Sequence, residues 1–432
     1  MIGTSYLGAT HAICMAHLGY DVIGVDVDAE KVAKLTAGVV PFFEPGLTEL
    51  LEATLATGRL RFTTSYDEAA DADVHFVCVG TPQRRGENAA DLSYIESAMA
   101  SLAPLLTRPT VVIGKSTVPV GTAERMLAFL HEHAPVGNQV EMVWNPEFLR
   151  EGWAIEDTLH PDRLVFGVTS STGEKAMREI FAPMISTGVP VVVTDLATAQ
   201  LVKVAANAFL ATKISFINAM AEVCEATHAD VKKLSEALSY DGRIGGRFLH
   251  AGLGFGGGCL PKDIRAFMAR AGELGVDQAL SFLSEVDAIN QRRRARMVDL
   301  ARECVDDSFK RRKVGVLGAA FKPNSDDIRD SPALDVATRI HKAGAQVTVY
   351  DPAAMVNARR DYPALTYAAS AEEAIDGADV VLHLTEWQEF RELDPVALAD
   401  RVRQRHIVDG RNALDAERWR AAGWHYRALG RP

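Results

Sequence analysis

A cysteine in a glycine-rich segment is the strongest candidate for chemistry in this sequence. The segment 252–258 holds five glycines in seven residues, so its backbone must approach a neighbour closely or adopt positive φ. Pro261 suits the first turn of a helix, which would place Cys259 just before a helix N-terminus and beside Lys262. Both surroundings stabilise a thiolate, and Asp263, four residues on, can face the same site as an acid–base group. We therefore interpret Cys259 as reactive rather than as a small core residue.

A second candidate site lies at the N-terminus, where the spacing suits a dinucleotide. The turn Gly3–Gly8 precedes a predicted helix, and Asp26 ends the next predicted strand. A glycine-rich turn before a helix N-terminus binds pyrophosphate, and an acid at that strand end binds the adenosine ribose and disfavours the 2′-phosphate of NADP. Ser5 stands where a glycine is usual, and only Met1 and Ile2 precede the turn, so the first strand is nearly absent. A structural turn without a cofactor is therefore the alternative to an NAD site.

The elements that would position these residues fall into three blocks. Residues 1–194 and 306–432 alternate short Val- and Ile-rich runs with helical patterns, which predicts two α/β domains with mostly parallel sheets. Residues 195–305 contain no good strand and predict two long helices, Leu196–Ala226 and Gln278–Val305. The segments Val79–Pro82 and Lys115–Pro119 follow predicted strands, where open sheets place ligand contacts. The predicted strands are Asp21–Val27, Val74–Val79, Val111–Lys115, Val140–Trp144, Leu164–Val168, Val189–Val193, Val314–Leu317, Gln346–Tyr350, Val380–Leu384 and Ile407–Asp409.

The composition restricts the class of function and the location. A net charge of −11 over 432 residues argues against a nucleic-acid partner, because phosphate binding needs a basic surface. The five cysteines are scattered, without a CxxC pair or a His–Cys metal spacing, which predicts no metal and a reducing compartment. No apolar run approaches the ~20 residues of a membrane span, and the N-terminus lacks a signal-peptide pattern. We expect a cytoplasmic protein with no membrane partner.

The basic segments Arg292–Arg294 and Phe309–Lys313 are expected to be solvated.

The cysteine segment also resembles a known active site. Asp241–Leu249 followed by Gly254–Asp263 is similar to the active-site signature of the UDP-glucose 6-dehydrogenase family. The resemblance extends over essentially the whole chain, and motifs of this length in this order are not coincidental. The other matching motifs are Phe42–Gly46, Lys115–Gly121, Asn145–Gly152, Asn207–Phe216 and Phe321–Arg329.

This resemblance implies a fold, a cofactor and partners. The family oxidises the C6 alcohol of a nucleotide sugar to a carboxylate and reduces two NAD⁺. The expected fold is α/β, with a Rossmann-like NAD-binding domain at 1–194, a central long-helix dimerisation domain at 195–305 that holds the catalytic cysteine, and a Rossmann-like UDP-sugar-binding domain at 306–432. A nucleotide sugar is the implied substrate, and a homodimer is the implied assembly.

The resemblance also implies the catalytic roles. Cys259 would be the nucleophile that traps the aldehyde as a thiohemiacetal, which is oxidised to a thioester that water then hydrolyses. Lys203 and Asn207 are four residues apart on one face of the long helix, where they would stabilise the C6 oxygen as an anion. An exposed lysine and a helix-surface asparagine are the simpler alternative for this pair.

Further catalytic residues, and the ligand-binding residues, are assigned in the same way. Asp263 and Thr117 would hold the hydrolytic water. Glu147 and Glu151 resemble paired glutamates near the nicotinamide and C6, and Glu151 is the preferred proton-transfer group, although two loop carboxylates could also be solvated. The implied substrate-binding residues are Glu147, Phe148, Leu149, Lys203, Asn207, Arg243 (lent across the dimer interface), Phe248, Gly256, Phe321, Lys322 and Arg411. The implied cofactor-binding residues are Gly3, Ser5, Tyr6, Leu7, Gly8, Asp26, Lys31, Thr81, Thr117, Glu151, Lys262 and Arg329.

Three alternatives stay open at the level of sequence. The same chemistry could act on GDP-mannose, UDP-N-acetylglucosamine or UDP-N-acetylmannosamine, because base and C2 selectivity depend on the shape of the pocket. Ser5 and the clipped first strand could instead mark a paralogue that binds a nucleotide sugar but is impaired in NAD binding. A one-step β-hydroxyacid dehydrogenase would share the N-terminal and helical domains but would not need Cys259 or the third domain.

Overall fold

The computed structural model describes residues 1–432, which divide into two compact units. The first unit contains 1–206 and 265–277, and the second contains 207–264 and 278–432. Each unit is built on an α/β sheet, as the alternation of apolar runs predicts. The division of the chain into domains at 1–194, 195–305 and 306–432 stays a prediction.

The first unit begins with seven strands interleaved with eight helices. Each predicted strand of residues 1–194 is present, with ends that differ by a few residues. Leu60–Thr63 is an additional strand that the sequence analysis missed. The strands are β1 (Val22–Val25), β2 (Leu60–Thr63), β3 (Val74–Val77), β4 (Thr110–Gly114), β5 (Val140–Trp144), β6 (Leu164–Val168) and β7 (Val191–Thr194). The helices are α1 (Tyr6–His17), α2 (Ala29–Thr36), α3 (Leu47–Ala56), α4 (Ser93–Leu102), α5 (Thr122–His133), α6 (Ala154–Leu159), α7 (Ser171–Ile180) and α8 (Ala182–Ile185).

The leading strand of this sheet is reduced to Ile2, which pairs on both sides. Ile2 bridges Val25 on β1 and Val77 on β3, both in parallel. Its N–H donates to Phe76 O at 2.7 Å, and its carbonyl accepts from Cys78 N at 2.8 Å. The strand order is therefore β2-β1-Ile2-β3-β4-β5-β6-β7, parallel except between β5 and β6. This is the Rossmann order, and hydrogen bonds on both sides of Ile2 keep the sheet continuous although its first strand is nearly absent.

The middle of the chain is helical, as predicted. Its helices are α9 (Leu196–Thr227), α10 (Val231–Ser239), α11 (Leu260–Glu273) and α12 (Phe282–Glu303). By length and composition α9 could cross a membrane, which corrects the expectation that no segment approaches that length. Core helices of proteins without a membrane span can be as long and as apolar, and Lys203 of this helix is buried.

The second unit carries a six-stranded, fully parallel sheet. Its order is β10-β9-β8-β11-β12-β13, which again is the Rossmann order 3-2-1-4-5-6 counted within the unit. The four predicted strands are present, and β10 and β13 are additional strands that were not predicted. The strands are β8 (Lys313–Leu317), β9 (Gln346–Tyr350), β10 (Thr366–Tyr367), β11 (Val380–His383), β12 (His406–Asp409) and β13 (His425–Ala428). The helices are α13 (Pro332–Lys342), α14 (Met355–Asp361), α15 (Ala371–Ile375), α16 (Gln388–Glu392), α17 (Pro395–Leu398) and α18 (Ala416–Ala421).

The prediction that Arg292–Arg294 forms a solvated helix face is wrong for two of its three residues. Arg292 is exposed, but Arg293 and Arg294 are buried. Arg293 pairs with Glu225 of α9 at 2.7 Å, and Arg294 pairs with Asp330 at 2.8 Å. Consecutive helical residues point in different directions, so a run of like charges does not by itself define a solvent face.

Candidate active site

Cys259 lies where the sequence analysis predicts, at the start of a helix. Helix α11 begins at Leu260, and its first turn includes the bond from Asp263 N to Cys259 O at 2.9 Å. Cys259 is the exposed member of the five cysteines, and the other four are buried. The positive end of the helix dipole favours a thiolate at this position.

Asp263 connects Cys259's helix to the long helix α9 within the second unit. Its buried carboxylate accepts a hydrogen bond from Asn207 Nδ2 at 2.7 Å and pairs with Lys262 Nζ. A buried carboxylate is tolerated only when it is paired and hydrogen-bonded, and these two donors meet that need. Lys262, a predicted cofactor contact, thus places its ammonium on Asp263.

The glycines before Cys259 allow close approach of three neighbours. Gly254 has φ +92°, and a Cβ there would lie 2.1 Å from Asn290 Oδ1. A Cβ on Gly257 would meet the Phe321 ring at 2.8 Å, and one on Gly258 would meet Arg329 Cζ at 2.2 Å. The loop backbone therefore lies against these side chains, and any residue larger than glycine in the loop would collide with them. This close approach explains the density of glycine.

Asn290 on α12 holds this loop and was not identified from the sequence. It is fully buried, accepts from Phe255 N at 2.7 Å and donates to Phe255 O at 2.9 Å. Asn218 on α9 also holds this loop, through one hydrogen bond that its Oδ1 accepts from Gly252 N at 2.9 Å. The only signal in the sequence is an amide within an otherwise amphipathic helix, and that pattern does not indicate its partner.

Three of the predicted substrate residues are close together. Arg411 donates to Gly254 O at 3.1 Å, to Phe321 O at 3.0 Å and to Leu384 O at 2.7 Å. Lys322 Nζ lies 5.4 Å from the centre of the Phe321 ring. Arg411 therefore links the glycine-rich loop to the carboxyl end of β11, where parallel sheets bind ligands.

The remaining predicted residues of the second unit are at the loop surface or next to it. Arg243 is exposed and pairs with Asp241 at 2.6 Å. Phe248 is half-buried and has φ +66°, an uncommon conformation for a bulky residue. A Cβ on Gly256 would lie 2.4 Å from Asp330 O, so this position requires glycine. Arg329 forms a bidentate ion pair with Asp327, with Nη2 2.7 Å from Oδ2.

In the first unit, Lys203 pairs with Glu147. Lys203 Nζ lies 2.9 Å from Glu147 Oε1 and 5.6 Å from the centre of the Phe148 ring, and both charged groups are largely buried. The other oxygen of Glu147 accepts from Leu149 N at 2.8 Å. Lys203 and Asn207, one turn apart on α9, are therefore each partnered by a different carboxylate.

Glu44, in the matched motif Phe42–Gly46, organises the loop that contains Glu151. It is buried and accepts from Gly152 N at 2.6 Å and Ala154 N at 2.7 Å. The Tyr6 hydroxyl also donates to it. Burial and the neighbouring carboxylates of Glu44 and Glu151 raise the pKa of Tyr6. The residues around Glu44 in the sequence do not indicate this role, because its partners lie far along the chain.

The residues of the N-terminal turn suit a dinucleotide. Gly3 has φ +82°, and a Cβ on Gly8 would lie 1.8 Å from Gly3 O. Ser5 is the N-cap of α1 but makes no side-chain cap bond, so the first N–H groups of α1, from Tyr6 and Leu7, stay available to an anion. The first helical bond runs from Ala9 N to Ser5 O at 2.9 Å.

Asp26, the acid predicted to bind the ribose, is held by three hydrogen-bond donors. Its Oδ2 accepts from Thr4 N at 2.7 Å and from Lys31 Nζ at 3.0 Å, whereas Oδ1 accepts from Asp28 N. Burial by itself would raise the pKa of Asp26, but these hydrogen bonds outweigh it and the pKa is lowered. The ionised carboxylate keeps lone pairs on Oδ1 for hydroxyl donors.

Two predicted threonines meet at the ends of β3 and β4. The hydroxyl of buried Thr81 donates to Thr117 O at 2.7 Å. Nearby in sequence, buried Lys115 donates to Asn145 Oδ1 at 2.8 Å, and Asn145 Nδ2 donates to Val165 O at 3.0 Å. Burial lowers the pKa of Lys115 to about 8. These bonds fix the start of the segment that carries Glu147.

Comparisons with known proteins agree with this architecture. Three models of the UDP-glucose/GDP-mannose dehydrogenase family match the chain: the NAD binding domain over residues 1–185, the central domain over 197–292 and the UDP binding domain over 315–416. A UDP-glucose 6-dehydrogenase of Rhizobium meliloti is 42% identical over 100% of this chain and 99% of its own length.

Solved structures give the same result. A UDP-glucose dehydrogenase from the archaeon Pyrobaculum islandicum matches with a TM-score of 0.91 and 37% identity, covering 100% of this chain and 97% of that one. A UDP-D-ManNAc dehydrogenase from Pyrococcus horikoshii matches with a TM-score of 0.87 and 27% identity, covering 100% and 98%.

Proposed function

Because the chain belongs to the UDP-glucose/GDP-mannose dehydrogenase family, we propose that it oxidises UDP-glucose at C6 to UDP-glucuronate. It is a dehydrogenase with an NAD-binding domain. The observation that supports the four-electron chemistry is the exposure of Cys259 at the N-terminus of α11, with Asp263 in the first turn. A one-step dehydrogenase would have no use for that thiol.

Bound NAD would supply the hydride acceptor for each of the two oxidations at C6. Gly3, Ser5, Tyr6, Leu7, Gly8, Asp26, Lys31, Thr81, Thr117, Glu151, Lys262 and Arg329 are the residues that would hold it. Of these, the turn at Gly3 and the ionised Asp26 have the conformation and charge that pyrophosphate and ribose require.

In the first oxidation, C6 loses a hydride and its hydroxyl loses a proton. Lys203 and Asn207 stabilise the negative charge on the oxygen, and Glu151, assisted by Glu147, receives the proton. The Cys259 thiolate then adds to the aldehyde carbon and gives a thiohemiacetal. The partners of Lys203 and Asn207 in the absence of substrate, Glu147 and Asp263, hold the two donors in fixed orientations.

In the second oxidation, the thiohemiacetal carbon loses a hydride and becomes a thioester. Asp263 and Thr117 hold the water that attacks this carbon, and the C–S bond breaks to release the carboxylate and the Cys259 thiolate. The whole reaction consumes one water and releases two hydrides and three protons. Glu147, Phe148, Leu149, Phe248, Gly256, Phe321, Lys322 and Arg411 position the nucleotide sugar.

A substrate panel with product stoichiometry tests this function. UDP-glucose should give two NADH per UDP-glucuronate, followed at 340 nm. UDP-N-acetylmannosamine, UDP-N-acetylglucosamine and GDP-mannose are the comparison substrates, since a structural relative is named for UDP-D-ManNAc. One NADH per product would contradict the thioester route. If the protein oxidises another of these nucleotide sugars and not UDP-glucose, the proposed substrate is wrong but the proposed four-electron chemistry is retained.

We also propose that the chain forms a homodimer through the exposed side of α9. Phe209, Phe216 and Val223 are 66%, 48% and 53% exposed and recur every seven residues, so they form one apolar stripe. Stripes of this kind mark association surfaces on proteins in water. Arg243, with its exposed side chain, is then lent to the partner's substrate site, and the enzyme acts in the cytoplasm.

Sedimentation measures the dimer directly. The double variant Phe209→Asp/Phe216→Asp should sediment as a monomer, because two charges replace the centre of the apolar stripe. Val356→Asp, at another exposed apolar residue, is the matched control and should stay dimeric. A wild-type chain that sediments as a monomer at micromolar concentration would contradict the proposal.

A further inference from the structure

Three side chains from separate parts of the second unit meet in one cluster. Cys304 follows the C-terminus of α12, His406 begins β12 and His425 begins β13. One potential ligand atom from each residue lies within 4.8 Å of the other two. None of the three takes part in the proposed oxidation.

We propose that Cys304, His406 and His425 bind a zinc ion, with water as a fourth ligand. One thiolate and two imidazoles are the donor types that Zn²⁺ selects, and three protein ligands plus water is a common zinc arrangement. Ligand atoms on a tetrahedral zinc are roughly 3.3–3.7 Å apart, given Zn–N of ~2.0 Å and Zn–S of ~2.3 Å. Small side-chain rotations would close the 4.8 Å cluster to that spacing.

The backbone places the two histidines side by side. Strands β12 and β13 are parallel neighbours, and His406 is directly opposite His425 in their register. Their ring centres are 5.2 Å apart. Residues opposite each other on paired strands point to the same face of the sheet, so both imidazoles are presented toward Cys304.

The hydrogen bond of His406 selects a tautomer that suits a metal. Its Nδ1 lies 2.7 Å from Cys304 O, a carbonyl that can only accept. Nδ1 therefore carries the proton, and Nε2 offers its lone pair. Metal-bound histidines usually donate their other ring N–H to a carbonyl or carboxylate in this way.

The surrounding charges are compatible with a cation. The Cys304 thiol gives up its proton when a metal binds, because the thiolate is the form that ligates zinc. The charge of Arg427 is balanced by Glu303 at 2.5 Å. His425 is exposed, which gives the ion a route from solvent.

Cobalt substitution tests the site in the full-length chain. The EDTA-treated, reduced protein is titrated with Co²⁺, which gives a thiolate-to-metal charge-transfer band in the near ultraviolet and visible d–d bands when bound to sulfur. We expect one Co²⁺ per chain, displaced by Zn²⁺. Absence of the charge-transfer band would overturn the proposal.

Matched variants assign the ligands. Cys304→Ser should abolish the charge-transfer band, whereas Cys259→Ser should keep it. The reverse pattern would place the metal at the reactive cysteine and refute the site. His425→Gln should weaken Co²⁺ binding by at least about tenfold, while His133→Gln, at another exposed histidine, should leave it unchanged.

Thermal unfolding gives a readout that is independent of activity and of spectroscopy. Zn²⁺ should raise the Tm of the wild type, because a ligand that binds only the folded state stabilises it. The rise should be absent in His425→Gln, whose exposed position makes misfolding a minor concern. An equal rise in both proteins would contradict the proposal, whatever the outcome for the oxidation of UDP-glucose.

Discussion

Asn207 Nδ2 donates a 2.7 Å hydrogen bond to Oδ2 of Asp263, joining α9 to the first turn of the helix that follows Cys259. The acceptor is buried, so this donor and Lys262 supply the partners that its charge requires. The same pair connects the residue proposed to stabilise the C6 oxygen with the one proposed to hold water. Changes at either residue should therefore affect the two oxidation steps differently.

Asp263→Asn should stall the enzyme at the thioester. The amide keeps the shape of the side chain but cannot act as a base toward water, so hydrolysis slows more than hydride transfer. We expect a burst of two NADH per active site followed by slow turnover, and a covalent adduct on Cys259 in intact-protein mass spectrometry. Steady turnover with no adduct would remove Asp263 from the hydrolytic step. Asp277→Asn, just past the end of α11, is the control.

Cys259→Ser should lose net acid formation. A serine hydroxyl at a helix N-terminus is far less ionised than a thiol and is a poor leaving group from the acyl stage. We expect kcat for UDP-glucuronate to fall by more than about 10³-fold, the scale found when a catalytic nucleophile is removed. Cys224→Ser, at a buried cysteine, should keep its activity per folded molecule. Full turnover of the serine variant would refute the thioester route.

Ser5→Gly should tighten NAD binding without destabilising the protein. Ser5 makes no side-chain cap bond, so glycine costs only a few tenths of a kcal/mol as the N-cap. Removing the side chain lets the backbone approach the pyrophosphate, and we expect Kd to fall by about tenfold, or ~1.4 kcal/mol. Calorimetric titration measures it. If the wild type does not bind NAD and the glycine variant does, the impaired paralogue becomes the better description.

Glu44→Gln should loosen the loop that carries Glu151. The carboxylate accepts from Gly152 N and Ala154 N, one on each oxygen, and an amide can replace only one of these acceptors. We expect the free energy of unfolding to fall by about 1–3 kcal/mol and KM for NAD to rise. Urea denaturation and steady-state kinetics measure the two effects. Glu49→Gln, exposed on α3, should change neither.

His75 should make the protein less stable in acid. Its ring is buried and Nε2 has no hydrogen-bond partner, and burial lowers its pKa from 6.5 to about 4. Between these values the unfolded chain binds a proton that the native state does not, so stability falls as the pH drops from 6.5 to 4, by about 3 kcal/mol.

The pH dependence can be isolated by substitution. His75→Gln removes the titrating group, so the difference in unfolding free energy between variant and wild type should shift in the variant's favour as the pH falls through this window. His17→Gln, at an exposed histidine, should track the wild type. Parallel curves for His75→Gln and the wild type would contradict the lowered pKa.

The pattern of neighbouring residues in the sequence was sufficient to predict most of the helices and strands. The spacing of apolar residues on α9 predicted a helix from Leu196 to Ala226, and the helix ends at Thr227. Pro261 and the preceding glycines predicted that Cys259 stands before a helix, and it does. The strands that were missed, β2, β10 and β13, are short or polar, so they gave no clear apolar run.

The errors and omissions share a cause. Arg293 was expected in solvent because its neighbours are charged, yet it is buried against Glu225. Asn290 and Glu44 were given no role, yet each fixes a loop through hydrogen bonds to residues distant in sequence. A side chain's partner across the fold is decided by packing of separate elements, and a single sequence does not record it.

The sequence by itself determined the two α/β sheets, the helical middle and the position of Cys259 just before a helix, because periodicity and turn chemistry act over a few neighbouring residues. Only the tertiary structure decided which charges are paired, which glycines are pressed against side chains, and that Cys304, His406 and His425 share one cluster. Cys304 and the two histidines have no metal-binding spacing along the chain. The parallel register of β12 and β13 brings them together, and register is set by the packing of whole strands.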